Sequence, residues 1–246
     1  MEDIMFYSQE LYLPAGCFDI CDNLRPASVL ELFQDAAGRH ADMLGSGYED
    51  MKAAGKAWVL MRVCYHIDKM PDFGSRVTVS TWPRQGRLDF DRYYMITSPQ
   101  GEVLVRGSSK WCVIDLASRR LLREPGVVYP GQGRDSADMP CAPRLRSPEN
   151  GEKAGELHAL PSRLDHNGHM NNARYADAVQ DALAPGETIE DFAICYEHEL
   201  APGDCAQVYS CREDASATVW GVRSDGCECF TARAGIKSRK SIKKTA

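Results

Sequence analysis

The chain has 246 residues, 43 % of them hydrophobic and 26 % charged, with a formal net charge of −6. This is the composition of a globular protein of one large or two ordinary domains, and the acidic balance speaks against nucleic-acid binding, which needs a basic face. The longest apolar runs, such as Ala57–Met61, are about five residues, far short of the roughly 20 that a membrane-spanning helix requires.

The N-terminus, Met1-Glu2-Asp3-Ile4, is acidic and has no basic-then-apolar signal pattern, so a cytoplasmic protein is expected. Ten cysteines are scattered without C-x-x-C spacing, which points to reduced thiols rather than a disulfide framework or a zinc site. Basic residues cluster at Arg84, Arg87 and Arg92, at Arg119–Arg123 and in the tail Lys237–Lys244, where a solvated, frayed end is expected.

Residues 5–17 read as a strand leading into Cys17-Phe18-Asp19. Pro26 suits the first turn of a helix, and from Ala27 to Met43 apolar residues recur with helical spacing, at Val29, Leu30, Phe33, Ala36 or Ala37 and His40. Gly45-Ser46-Gly47 closes that helix, and a short one is expected over Tyr48–Ala54. Strands follow at Ala57–Asp68, Arg76–Arg84, Leu88–Thr97 and Glu102–Asp115, each bounded by turn residues. Residues 124–156 are rich in Pro, Gly, Asp and Ser and read as a linker.

The second half repeats this order: a helix over Asn172–Leu183, then strands at Thr188–Leu200, Ala206–Glu213, Ala217–Ser224 and Cys227–Ile236. At an offset of 146, Phe18-Asp19 falls on Leu164-Asp165, Leu24 on Met170 and Pro26-Ala27 on Asn172-Ala173, while Cys21 lies opposite Asn167 and Asn23 opposite His169. A duplicated α+β unit is the expectation, with an N-terminal domain over 1–123 and a C-terminal one over 157–246.

The densest polar stretch is Asp165-His166-Asn167-Gly168-His169-Met170-Asn171-Asn172, opening directly into the second helix. Asn and Asp there make good N-caps, which is one sufficient reason for their presence. The functional alternative is that helix-end amides near Met170–Asn172 face a reacting carbonyl, with Asp165, Asn167 and His169 beside it. His40, His66, His166 and His198 are read as fold or surface residues, and no cluster has metal-ligand spacing.

The run Asp165-x-Asn167-x-His169-Met170-Asn171-Asn172-x-x-Tyr175 resembles the signature of the acyl-acyl-carrier-protein thioesterases, and Tyr196-Glu197-His198-Glu199-Leu200 resembles that family's strand bearing a catalytic carboxylate. Trp82 and Trp111-Cys112-Val113-Ile114-Asp115 fit the first half of the same pattern. The resemblance implies a double hotdog: two tandem antiparallel sheets, each wrapped on a helix, with the first half holding an acyl chain and the second catalysing its release from acyl carrier protein. It leaves a further homodimer open; with no metal-ligand spacing and no Gly-rich phosphate loop before a helix, no cofactor and no metal are expected.

On that reading Asp165, Asn167, His169 and Glu199 are the catalytic candidates. Glu199 is favoured as base, with Asp165 and His169 still open, and each neutral substitution at these three is expected to cost at least tenfold. Asn171, Asn172, Val29, Phe33 and Trp82 are the substrate-binding candidates, and Arg84, Arg87 and Arg92 form a candidate patch for the carrier's phosphopantetheine-bearing, acidic partner surface. Plant members carry a cysteine beside the carboxylate, where this chain has Leu200, so a cysteine nucleophile is not expected there. Cys195 shares strand parity with Glu197 and Glu199, which leaves its access to the site open. An acyl-CoA thioesterase of the same fold and a non-enzymatic acyl-thioester binding protein are the alternatives.

Overall fold

The computed structural model describes residues 4–86, 88–131 and 134–239. They fall into two compact units, one of residues up to Leu13 together with Glu31–Ala142, the other of Pro14–Leu30 together with the chain from Pro143 onward. The expected tail end beyond residue 239 lies outside the described residues, as does Arg87.

In the first unit β1 (Tyr7–Tyr12), β2 (Lys56–Ile67), β3 (Arg76–Gln85), β4 (Phe90–Thr97) and β5 (Val103–Asp115) form an antiparallel sheet in the order β1-β3-β4-β5-β2. Helix α1 (Pro26–Met43) and the short α2 (Tyr48–Ala53) precede β2. The apolar stripe of α1 is buried, with Phe33 at 2 % and His40 at 0 % exposure. Phe33 stacks on Tyr94 at 4.2 Å between centroids, and the space its ring occupies exists because position 107 is glycine. A Cβ there would stand 2.3 Å from Phe33 Cε2.

Strand β4 alternates buried and half-buried residues, so Phe90, Arg92, Tyr94 and Ile96 share one face. That face carries Arg92 inward. Arg92 is 5 % exposed; its guanidinium donates to Thr81 Oγ1 (3.3 Å), and its Nη1 stands 3.1 Å from His40 Nδ1. Since Arg92 can only donate, His40 Nδ1 accepts and Nε2 carries the proton to the Ile4 carbonyl at 2.9 Å. Arg92 is therefore a buried strut and not a member of a surface docking patch, whereas Arg84 is exposed on β3.

In the second unit β6 (Glu152–His158), β7 (Glu187–Tyr196), β8 (Cys205–Glu213), β9 (Ser216–Arg223) and β10 (Glu228–Arg239) pair in the order β7-β10-β9-β8-β6. Shifting each label by five reproduces the first unit's order. Helix α3 (Asn172–Asp181) lies between β6 and β7 as α1 lies between β1 and β2. Tyr175 of α3 meets Phe230 of β10 edge-on at 5.4 Å and Tyr196 at 5.6 Å. These are α+β units of the hotdog kind, an antiparallel sheet with its principal helix on one face.

Two expectations change. Strand β6 begins at Glu152, inside the stretch read as linker, because its polar residues belong to an edge strand whose outward positions face water. Strand β7 ends at Tyr196, so Glu197, His198 and Glu199 are not in extended pairing and the parity argument linking them to Cys195 fails. Cys195 is 2 % exposed, with its thiol on the Pro143 carbonyl (3.3 Å) and the Leu145 amide on its sulfur. All ten cysteines are free thiols, and among the described residues no helix is long and apolar enough to cross a membrane.

Candidate active site

The motif loop turns the Asp165 carboxylate onto its own backbone. Oδ1 accepts the N–H of Asn167 (2.8 Å) and of His169 (3.3 Å), and Oδ2 accepts from the Asn167 carboxamide (3.3 Å). The Asp165 amide donates to the His169 carbonyl and the Gly168 amide to the Asp165 carbonyl. Gly168 sits at φ +79°, where a side chain would be strained. Asn171 is the N-cap of α3, its side chain accepting from the Ala173 amide at 2.9 Å.

The same loop stands 146 residues earlier in the chain. Asp19 Oδ1 accepts from the amides of Cys21 (2.8 Å) and Asn23 (2.9 Å), and the Asp19 amide donates to the Asn23 carbonyl. The bridge Phe18–Leu24 matches Leu164–Met170, the 3-10 turn Ala15–Cys17 matches Pro161–Arg163, and Asp22 at φ +56° takes the place of Gly168. An aspartate that does the same backbone work in both copies is a scaffold. What distinguishes the second copy is what the scaffold displays: an exposed Asn167 where Cys21 is buried, and a half-buried His169 where Asn23 is 3 % exposed.

The expected oxyanion amides are mostly spent. Met170 N–H donates to the Leu200 carbonyl (3.1 Å) and Asn171 N–H to the Arg163 carbonyl (2.9 Å). Asn172, at the first helical position, has no intrahelical acceptor for its N–H, and its carbonyl takes the Tyr196 hydroxyl at 3.0 Å. Of the three amides near Met170–Asn172, that of Asn172 is the remaining candidate donor.

Glu199 is delivered by its neighbour. Leu200 is fully buried and fastened at both ends of its peptide group: its carbonyl takes the Met170 amide, and its own amide donates to the Tyr175 hydroxyl at 3.1 Å. Arg223 donates to the Glu199 carbonyl (3.3 Å). With the backbone so held, Glu199 Oε2 lies 3.5 Å from His169 Nε2, the two side chains 46 % and 35 % exposed. The structure thus brings Asp165, Asn167, His169, Asn171, Asn172 and Glu199 together in the second unit. Val29 is fully buried in that unit, and Phe33 and Trp82 are core residues of the first, Trp82 lying against Phe6 (5.9 Å) and Tyr93 (6.0 Å).

The buried thiols of Cys229 and Cys195 are not set up as nucleophiles. Burial pushes the Cys229 thiol up to about 11, so it stays protonated at neutral pH, and Cys195 is the buried donor already described. Burial likewise holds the Tyr175 phenol well above the ordinary tyrosine range, leaving a neutral hydroxyl.

Tyr175 was visible in the motif but had no assigned task; its hydroxyl is the clamp on the Glu199 segment. Tyr175→Phe would leave a buried amide unpaired, a cost of about 1–3 kcal/mol. It should also lower kcat, with KM little changed, at temperatures where the variant is fully folded by circular dichroism. Unchanged kcat would remove the clamp from the account.

The sequence model of the family described as "Acyl-ACP thioesterase N-terminal domain" matches residues 5–127, half of the chain. The chain belongs to the acyl-ACP thioesterase family. Among curated relatives, oleoyl-acyl carrier protein thioesterase 2 of Arabidopsis thaliana is 25 % identical over 213 residues, 77 % of this chain and 57 % of that protein. The oleoyl-acyl carrier protein thioesterase of Coriandrum sativum is 26 % identical over 226 residues, 81 % of this chain and 58 % of the relative. The chain thus spans a little over half the length of these two family members. Solved structures of the same fold include an acyl-ACP thioesterase of Bacteroides thetaiotaomicron, with TM-score 0.79, 20 % identity and coverage of 96 % of this chain and 100 % of the other. The 12:0-ACP thioesterase of Umbellularia californica gives TM-score 0.77 at 18 % identity, covering 95 % and 97 %.

Proposed function

We propose that the protein hydrolyses the thioester of a fatty acyl chain carried on acyl carrier protein, releasing the free fatty acid. The observation that carries this reading is the Glu199–His169 pair, 3.5 Å apart, in which His169 stands on the repeated loop at the position that Asn23 occupies in the first copy, and Glu199 comes from the segment after β7; membership of the family supports the substrate class. Glu199 accepts a proton from water as the oxygen attacks the thioester carbonyl. The C–S bond breaks, and the thiolate, whose conjugate acid has a pKa of roughly 8.5, leaves and takes up a proton. His169 orients the carboxylate and the water, Asn167 contacts the substrate, and the Asn172 amide steadies the oxyanion. Asp165 holds the loop that presents them.

The deciding experiment is turnover of acyl-carrier thioesters of varied chain length beside their CoA counterparts, reading fatty acid release. Higher kcat/KM on the carrier thioesters is expected. Preference for the CoA thioesters would make the protein an acyl-CoA thioesterase, and binding without release would make it a sensor.

The exposed Arg84 is the remaining described member of the docking patch. Arg84→Glu should raise KM for carrier-bound substrate and leave that for acyl-CoA unchanged. Equal effects on both substrates would remove it from carrier recognition.

A further inference from the structure

On the second unit's edge, β6 and β8 run antiparallel with His158 opposite Cys205 and Glu156 opposite Gln207. This register sets three ligand types of different chemistry on one patch. The His158 Nε2 lies 3.3 Å from Glu156 Oε2 and 3.8 Å from Cys205 Sγ, and the three ligand atoms all fall within 4.8 Å of one another. We propose that Glu156, His158 and Cys205 form a binding site for a zinc-like divalent cation, independent of the thioesterase site.

The spacing is the argument. Zinc takes sulfur at about 2.3 Å and nitrogen or oxygen at about 2.0–2.2 Å in a tetrahedron, so its ligand atoms stand roughly 3.3–3.6 Å apart. The Oε2–Nε2 and Nε2–Sγ separations bracket that range, and small side-chain rotations close the rest. A thiolate and an imidazole select a borderline-soft cation over magnesium or calcium. Thiolate and carboxylate together supply two negative charges to match a dication, the Cys205 proton passing to solvent on binding.

The carboxylate is also held from behind. Glu156 Oε1 accepts from Gln207 Nε2 (2.8 Å) and Lys153 Nζ (3.2 Å), which leaves Oε2 toward His158 and fixes its direction. All three ligands are exposed or half-buried, so the fourth position opens to water. The cation would tie edge strand β6 to β8, two strands joined in sequence only through residues 159–204.

The test uses the reduced full chain, titrated with Co²⁺ and then with Zn²⁺. A thiolate-to-cobalt charge-transfer band that saturates at one equivalent and is displaced by Zn²⁺ is expected. Cys205→Ser should abolish the band. His158→Ala and the near-isosteric Glu156→Gln should each weaken Zn²⁺ binding at least tenfold, with unchanged circular dichroism. Cys141→Ser, at an exposed thiol elsewhere, should change nothing. No band, a band surviving in Cys205→Ser, or a band lost in Cys141→Ser would overturn the site.

Discussion

Replacing Glu199 by glutamine is expected to lower kcat on an acyl-carrier thioester by about 10²–10⁴-fold, the usual loss for a positioned base, with KM and melting temperature little changed. Stability should hold because the segment is anchored through Leu200 and the backbone, by the Met170 amide, the Tyr175 hydroxyl and Arg223, while the Glu199 side chain is half exposed. His169→Ala should cost at least tenfold. Asp165→Asn is the instructive contrast. Asparagine keeps an oxygen for the Asn167 and His169 amides, so the loss of at least tenfold expected from the sequence is revised: activity should stay within about tenfold if Asp165 is the scaffold its repetition at Asp19 indicates. A general base at Asp165 would instead lose as much as Glu199→Gln. Full activity in the His169→Ala, Glu199→Ala double variant would defeat the assignment altogether.

Most of the fold was legible because its strands and α1 are long and strongly patterned: the bounds of β3, β5, β8 and α1 agree with the sequence reading to within about two residues. The repeat was legible too, since Asp19 and Asp165 mark equivalent turns. What escaped depended on pairing. Glu152–Glu156 carries no apolar period, and only its partner β8 makes it a strand. Glu199 was placed on a strand by the reading of Thr188–Leu200 and by the resemblance of Tyr196–Leu200 to the family's carboxylate-bearing strand, yet β7 stops at Tyr196. Arg92 was readable in principle: it has the parity of Phe90, Tyr94 and Ile96, the apolar residues that mark the inward face. Three arginines close in sequence suggested a patch, and the period of two separates Arg92 from it. The Glu156–His158–Cys205 cluster was invisible because its ligands meet through strand register, not through spacing along the chain.

Phe33→Ala is expected to cost about 3–5 kcal/mol of stability, the range for emptying a buried aromatic site. At about 2–4 °C per kcal/mol for a chain of this size, the melting temperature should fall on the order of 10 °C. The sequence alone allowed Phe33 to be either acyl-chain lining or core. Its ring is 2 % exposed, stacked at 6° on Tyr94 and seated over Gly107, so its surface is already spent on packing. On the proposed function, the folded variant should therefore keep the chain-length profile of the parent. A stable variant that shifts toward longer acyl chains would make Phe33 a lining residue instead. Gly107→Ala approaches the same contact from the other side, because its new Cβ would meet Phe33 Cε2 at 2.3 Å and the Cys64 carbonyl at 2.9 Å. Overpacking of this kind costs about 1–3 kcal/mol. Combined with Phe33→Ala, the ring clash disappears and the carbonyl contact remains, so the double variant should be more stable than the sum of the two losses allows. Strict additivity would mean that ring and glycine do not share the space between α1 and β5.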